Sequence, residues 1–250
     1  MWFGWRPTAL GAPGGAATVT GRVVREFMTG RPSPLPPSRA RLNHDRILDV
    51  VAEIADADGL NAMNVRRLAA RLQIKPASLY RHFSNMEVVK AALAARALTE
   101  LIDLNKDATP GRAGRDGLAA LAHAQRTYAQ ARPGRYLAAV QGGQTTVPAV
   151  AALRQTYLRS VAVILESYHI DGDEALEVAR CVMAALQGFI ILELSDGVGT
   201  PFETDQCYQR LLDMLDAGAR AAARSHANRK PRKTALRMLG PAQPHYGPRA

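Results

Sequence analysis

Two cysteines in 250 residues leave nothing from which to build a disulfide framework, and Cys181 and Cys207 each fall in an apolar helical context where a buried thiol is the commoner outcome. A reducing compartment, the cytoplasm, fits that scarcity. Material for crossing a membrane is also short. The longest apolar run, Val182 to Leu194, is interrupted by Gln187 and Glu193 and is shorter than the roughly 20 residues a bilayer requires, so no membrane partner is expected. The first residues, MWFGWRPTAL, break at Pro7 and Gly11 before an apolar secretion core forms, and Met28 offers a second start. Catalytic patterns are missing too: there is no P-loop, no dinucleotide fingerprint, no G-x-S-x-G and no H-E-x-x-H. The six histidines have no paired metal spacing. No catalytic residue, metal or cofactor is assigned, and neither strand pairing nor an internal repeat is found.

One absence points somewhere: between Gly59 and Met86 there is no Asp or Glu, while Arg66, Arg67, Arg71, Lys75 and Arg81 all fall there. Phosphate is the natural neighbour of such a stretch. Asn64 is a good N-cap, and Val65, Leu68, Ala69 and Leu72 repeat at helical spacing, which predicts a short helix from Val65 to Leu72. Pro76 suits a first helical position, and a second helix is predicted from Pro76 to Phe83 after a turn at Gln73, Ile74 and Lys75. Ile74, Leu79 and Phe83 would then face Leu68 and Leu72. Lys75, Ala77, Ser78, Tyr80, Arg81 and His82 would point outward. Any small helix pair can show a solvated basic face, so the pattern alone favours DNA binding only in part.

The run VRRLAARLQIKPASLYRHFSNMEVV resembles the DNA-reading head of the tetracycline-repressor (TetR) family, and Leu79-Tyr80-Arg81-His82-Phe83 is its most specific part. Two residues depart from that pattern. Gln73 replaces the glycine that ends the first helix, at a cost of about 1 kcal/mol in a left-handed cap, and Met86 replaces a phosphate-contacting lysine. The resemblance implies that Arg66 and Lys75 reach base edges or nearby phosphate, with Arg66 the foremost base contact and Asn64 capping its helix. It places Pro76, Ala77 and Ser78 at the base-facing helix start, and Tyr80, Arg81 and His82 toward the backbone.

Elsewhere the pattern is helical throughout. A supporting helix is predicted from about Asn43 to Ala57 and a long one from Ser84 or Asn85 to Leu104. Lys106 to Asp116 reads as a loop; helices follow at about Gly117–Ala131, Pro133–Gln141, Val147–Tyr168, Gly172–Ser195 and Phe202–Arg224, with a Gly142-Gly143 break between the second and third. The formal net charge is +10, but residues 1–42 carry six basic residues against one acidic, and residues 226–250 carry six against none. Both ends therefore read as disordered basic tails around a nearly neutral body. Arg39 and Arg41 read chiefly as a solvated linker, with a minor-groove arm as the lesser option.

The body, YAQARPGRYLAAV and AALQGFIILELSDGVG, resembles a TetR-type C-terminal domain more loosely. Met183 and Gln187 stand where that domain carries the Trp and His of a Trp…His-Gly signature, and Gly188 is kept. Polar groups in apolar helices are the effector-site candidates: Tyr128, Gln141, Tyr157, Gln187 and Glu193. The helix around ARCVMAALQGFIILEL is apolar nearly all round and calls for a second chain to cover it.

The expectation is an all-α protein with a helix-turn-helix head at residues 43–104, joined by a long helix to a ligand-binding and dimerisation bundle at 105–225. It is read as a homodimeric repressor of a double-stranded palindromic operator, released by a small apolar effector. The rival is a helical small-molecule-binding protein or enzyme with a degenerate head. Non-specific nucleoid binding through the tails is a weaker third option.

Overall fold

The computed structural model describes residues 42–141, 147–195, 197 and 201–228, and among them there are nine α-helices and no strand. Helix α1 (His44–Asp58) starts where the Asn43 side chain accepts from the Arg46 N–H at 2.8 Å, and it stops at Gly59, whose φ of +82° a side chain would resist. Its buried stripe is Ile47, Val50, Val51 and Ile54. A 3-10 turn, Leu60–Ala62, leads into α2 (Val65–Arg71) and α3 (Pro76–Leu79). Met63, Leu68, Leu79 and Phe83 close with α1 around one small core.

Helix α4 (Met86–Ala108) is capped by Asn85, which accepts from the Val88 N–H at 3.1 Å. Its first turns bury Val89 and Leu93 in the head core, and its later ones bury Leu98, Leu101 and Ile102 in the body core. One rigid rod is thus common to both. The body adds α5 (Gly114–Ala131), α6 (Pro133–Gln141), α7 (Pro148–Ala162), α8 (Gly172–Leu194) and α9 (Pro201–Asn228). Helix α7 packs along α4 and α8, while α6 lies between α4 and α1 and lends Ala138 to the head core.

Several boundaries differ from the sequence expectation. The expected loop from Lys106 shrinks to Thr109–Ala113, since α4 continues to Ala108 and the Gly114 N–H finds the Ser167 Oγ at 2.8 Å. The helix expected to run to Tyr168 tightens into a 3-10 segment, Val163–Tyr168, where Ser167 Oγ donates back to the Ile164 carbonyl and His169 turns left-handed. The last helix runs past Arg224 to Asn228, with His226 facing Asp171 at 3.2 Å, so the expected tail is helical for its first three residues. The N-terminal extension through Arg41, the Gly142-Gly143 break and residues 229–250 lie outside the described residues.

Both cysteines are exposed, not buried, because each lies on a side of α8 or α9 that no other described residue covers. Helix α8 is also, over its full 23 residues, long and apolar enough by composition to cross a bilayer, where the run from Val182 alone fell short. In the fold it packs against α7 and α9 and carries the ion-paired Glu193 toward its end. Less than a third of its most apolar stretch is buried within the chain.

Candidate nucleic-acid interface

The head surface follows from how α2 ends and α3 begins. Asn64 caps α2 by accepting from the Arg67 N–H at 2.9 Å, while its own amide donates to the Ala62 carbonyl. At the other end Gln73 takes φ +54°, its N–H reaching the Ala70 carbonyl and that of Ile74 reaching Ala69. These two bonds are the Schellman closure, made here without glycine. The turn places Lys75 and Pro76 on the outside, with Leu79 fully buried beneath them.

Regular α-helical structure in α3 ends at Leu79, four residues before the expected Phe83. The His82 N–H bonds to the Leu79 carbonyl at 2.8 Å in a tighter turn, which brings Phe83 back under the head. Ala77 and Arg81 are exposed as expected, and Tyr80 is 56% exposed. Ser78 and His82 are only half-buried, not fully outward. His82 stands edge-on to His44 with ring centroids 5.8 Å apart; burial first, then His44 and Arg81, hold its imidazole below its usual value.

The five cations divide into two sets. Arg67 meets Asp58 at 2.7 Å and Arg71 lies 3.9 Å from the same carboxylate, which is just outside the acid-free stretch that the sequence shows. Arg66, Lys75 and Arg81 are exposed and take no carboxylate among the described residues. The cations without an acidic partner among the described residues are therefore those at the start of α2 and the start and exit of α3.

In the body, the five polar candidates do not share one place. Tyr157 is buried, donates to the Gln125 Oε1 at 2.7 Å, and also meets Gln187. Gln125 in turn donates to Asn105, and Asn105 to Ser160, a chain of side-chain bonds across α4, α5 and α7. Tyr128 belongs elsewhere: it donates to Glu100 at 2.7 Å, beside Arg132, Arg135 and Arg96. Burial and then Glu100 raise its phenol well above the usual range. Glu193 is held by Arg126, Nε to Oε2 at 2.8 Å, with Gln130 nearby, and Arg126 also pairs with Asp205. Gln141 is exposed at the end of α6.

Sequence reasoning missed Tyr136 and Tyr208, both fully buried and both with hydroxyls that find no acceptor among the described residues. Each is one aromatic position in a helical stripe, and such a position reads as core; nothing in the pattern marks an unsatisfied O–H. It also missed how head and body are joined. The Asp56 carboxylate of α1 accepts from the Arg135 N–H at 2.8 Å and from Arg135 Nε at 2.7 Å, so a head residue caps the start of body helix α6.

Comparison with known proteins accords with this arrangement. Residues 47–93 match the family model for bacterial regulatory proteins of the tetR family, and 118–215 match that for a tetracyclin repressor-like C-terminal domain. An uncharacterized HTH-type transcriptional regulator of Mycobacterium tuberculosis, Rv0681, is 31% identical over 72% of this chain and 82% of its own. A solved structure of BioQ with its double-stranded DNA operator has a TM-score of 0.52 at 19% identity, over 72% of this chain and 99% of that one. A variant of TetR from Acinetobacter baumannii AYE, in complex with minocycline, has a TM-score of 0.55 at 23% identity, over 71% of this chain and 96% of that one. At those identities the two structures attest to the fold alone.

Proposed function

The chain belongs to the TetR family and is a DNA-binding transcriptional regulator, and from that premise we propose that it is a homodimeric repressor, acting in the cytoplasm, that leaves a palindromic operator when a small, largely apolar effector enters the body. The observation that carries this reading is the division of the head cations. Arg66, Lys75 and Arg81 stand exposed and without acidic partners among the described residues around the short helix α3, whereas Arg67 is paired with Asp58 and Arg71 lies 3.9 Å from the same carboxylate.

In this reading Arg66 addresses a base edge, Lys75 and Arg81 address phosphate, and Pro76, Ala77 and Ser78 bring the backbone close to the groove. Release is a population shift: an effector favours one tilt of α4, and that tilt changes the distance between the two heads. Helix α6 is the second link, since it touches the body core through Tyr136 and the head through Asp56 and Ala138.

Footprinting the purified protein on the DNA upstream of its own coding region tests the proposal. Protection should cover two half-sites about 34–36 Å apart or a multiple of that spacing. Arg66→Ala should weaken binding to the protected site by roughly 1–3 kcal/mol and weaken binding to random duplex by less. Equal losses on both would make Arg66 a phosphate contact, and no protection against competitor DNA would end the operator reading.

A further inference from the structure

His44 and His82 are the only histidines between residues 43 and 104, and the fold brings them together from two elements. His44 is the first residue of α1, and His82 lies in the turn by which the chain leaves α3. Both are half-buried, and their rings stand at 85° with centroids 5.8 Å apart. Neither imidazole has a hydrogen-bond partner among the described residues.

No carboxylate of the head serves the pair. Asp49 is held by Arg96, Asp56 by Arg135, Asp58 by Arg67 and Glu87 by Lys90, while Asp45 and Glu53 are exposed to solvent. The charged neighbours on the elements that carry the rings are Arg46 on α1, exposed, and Arg81 beside His82, also exposed. Burial first, then His44 and Arg81, disfavour the charged form of His82, and nothing opposes them.

We infer that His44 and His82 act as one proton-binding pair on the DNA face, so that each head takes up a proton as it docks and holds duplex more tightly as the medium acidifies. This rests on reading the exit of α3 as facing phosphate, and it adds a regulation of that same surface.

Phosphate is the negative charge the pair lacks, and an opposite charge close by favours the imidazolium. Phosphodiesters, arginines and lysines keep their charge near neutrality, which leaves the two histidines as the groups of the head that respond there. The geometry also limits the count. A proton on one ring leaves a neutral ring beside it, whereas a second proton would set two like charges 5.8 Å apart. One proton per head is expected. Where binding takes up a proton, affinity must rise as pH falls, so the regulator would occupy its DNA more fully in an acidified cell.

The test uses the full-length protein with the upstream DNA and with a random duplex, at constant ionic strength. Calorimetry at about pH 6.5 in PIPES and in bis-tris, whose ionisation heats differ, counts the protons. Each bound chain should take up roughly half a proton or more, and affinity should rise at least about fivefold from about pH 8 to about pH 6. In the His44→Gln, His82→Gln double variant the uptake should fall below about one fifth of a proton and the ratio between the two pH values below about twofold. The ratio is compared, so an equal loss of affinity at both pH values does not count. His44→Gln alone should move the steep part of the pH profile upward, because a like charge has been taken from beside His82; a merely structural His44 would leave that position unchanged. No uptake by the parent, release in place of uptake, uptake that persists in the double variant, or a His44→Gln profile that coincides with the parent's would each overturn the inference. If the double variant binds too weakly to titrate, the parent and His44→Gln decide. Proton uptake on random duplex without a protected site upstream would remove the operator and keep the pair. A protected site bound equally well at both pH values would do the reverse.

Discussion

Gln73 is one of two non-glycine residues at positive φ among those described, and it occupies the closure that fixes the angle between α2 and α3. A side chain in the left-handed region crowds its own backbone, and both hydrogen bonds of the closure are made in spite of it. Gln73 is exposed, so no packing is lost if its side chain is removed. Gln73→Gly should therefore stabilise the head by up to about 1 kcal/mol, less what the freer unfolded chain takes back. Chemical denaturation of the two forms side by side measures this, and a glycine form that is less stable would mean the glutamine side chain holds something. Operator affinity should stay within about twofold, because the closure keeps the same bonds. Met86, the other departure from the family pattern, begins α4 half-buried against the head core. Its side chain serves packing where a lysine would reach phosphate.

Among the elements, α6 is one that lies against both the head helix α1 and the rod α4, and Gly134 sets how closely it approaches α1. A Cβ there would come within 2.0 Å of the Ala55 carbonyl oxygen and 2.1 Å of its carbon, so the glycine is present for close approach of two backbones. Asp56 then caps the same helix end. Gly134→Ala should separate α1 from α6, lowering global stability by roughly 1–3 kcal/mol through overpacking. Asp56→Asn should leave the packing in place and remove the charged cap together with the ion pair to Arg135 Nε. If the two elements are coupled as proposed, the asparagine form keeps its operator affinity and shows faster amide exchange at Arg135 and Tyr136. Unchanged exchange would demote Asp56 to a surface contact. None of this junction was legible in the sequence. Helix α6 was anticipated from Pro133 to Gln141, since proline at a helix start is a local signal. That Gly134 would face the Ala55 carbonyl, far back along the chain, is a matter of tertiary approach, which periodicity does not encode. The same division holds in the head. Caps at Asn64 and Asn85 and the αL turn at Gln73 are local and were readable; the pairing of Arg67 with Asp58, and the early end of α3, depend on how the helices cross.

For the molecule as a whole, the feature that asks for a partner is the side of α8 and α9 that no other described residue covers. Cys181, Ala184, Gly188 and Leu192 are exposed at spacings of three and four along α8, and Met214 and Gly218 along α9, with Leu192 at 53% and Met214 at 71% exposure. Small residues between larger apolar ones let helices approach closely, and an open apolar face of this extent favours association over solvation. A second copy placed there by a two-fold axis would pair α8 and α9 with themselves in four helices and set two heads facing the same side of a duplex. Met214→Glu would put a carboxylate from each copy into that contact, and unpaired buried charge is strongly unfavourable. The variant should run as a monomer in light scattering, with its melting temperature little changed at low concentration because Met214 is exposed in the single chain. Cys181, in the groove between Glu177, Met214 and Gly218, should be alkylated several-fold faster than in the parent, since a second copy seated on that groove would cover it in the parent alone. If the chain is dimeric as proposed, operator affinity should drop by on the order of 100-fold or more, toward the value for random duplex, because each head would then bind without the effective concentration of a second head. A variant that remains dimeric with Cys181 still protected would place the association on another surface, and the spacing of the half-sites would have to be derived from that surface instead.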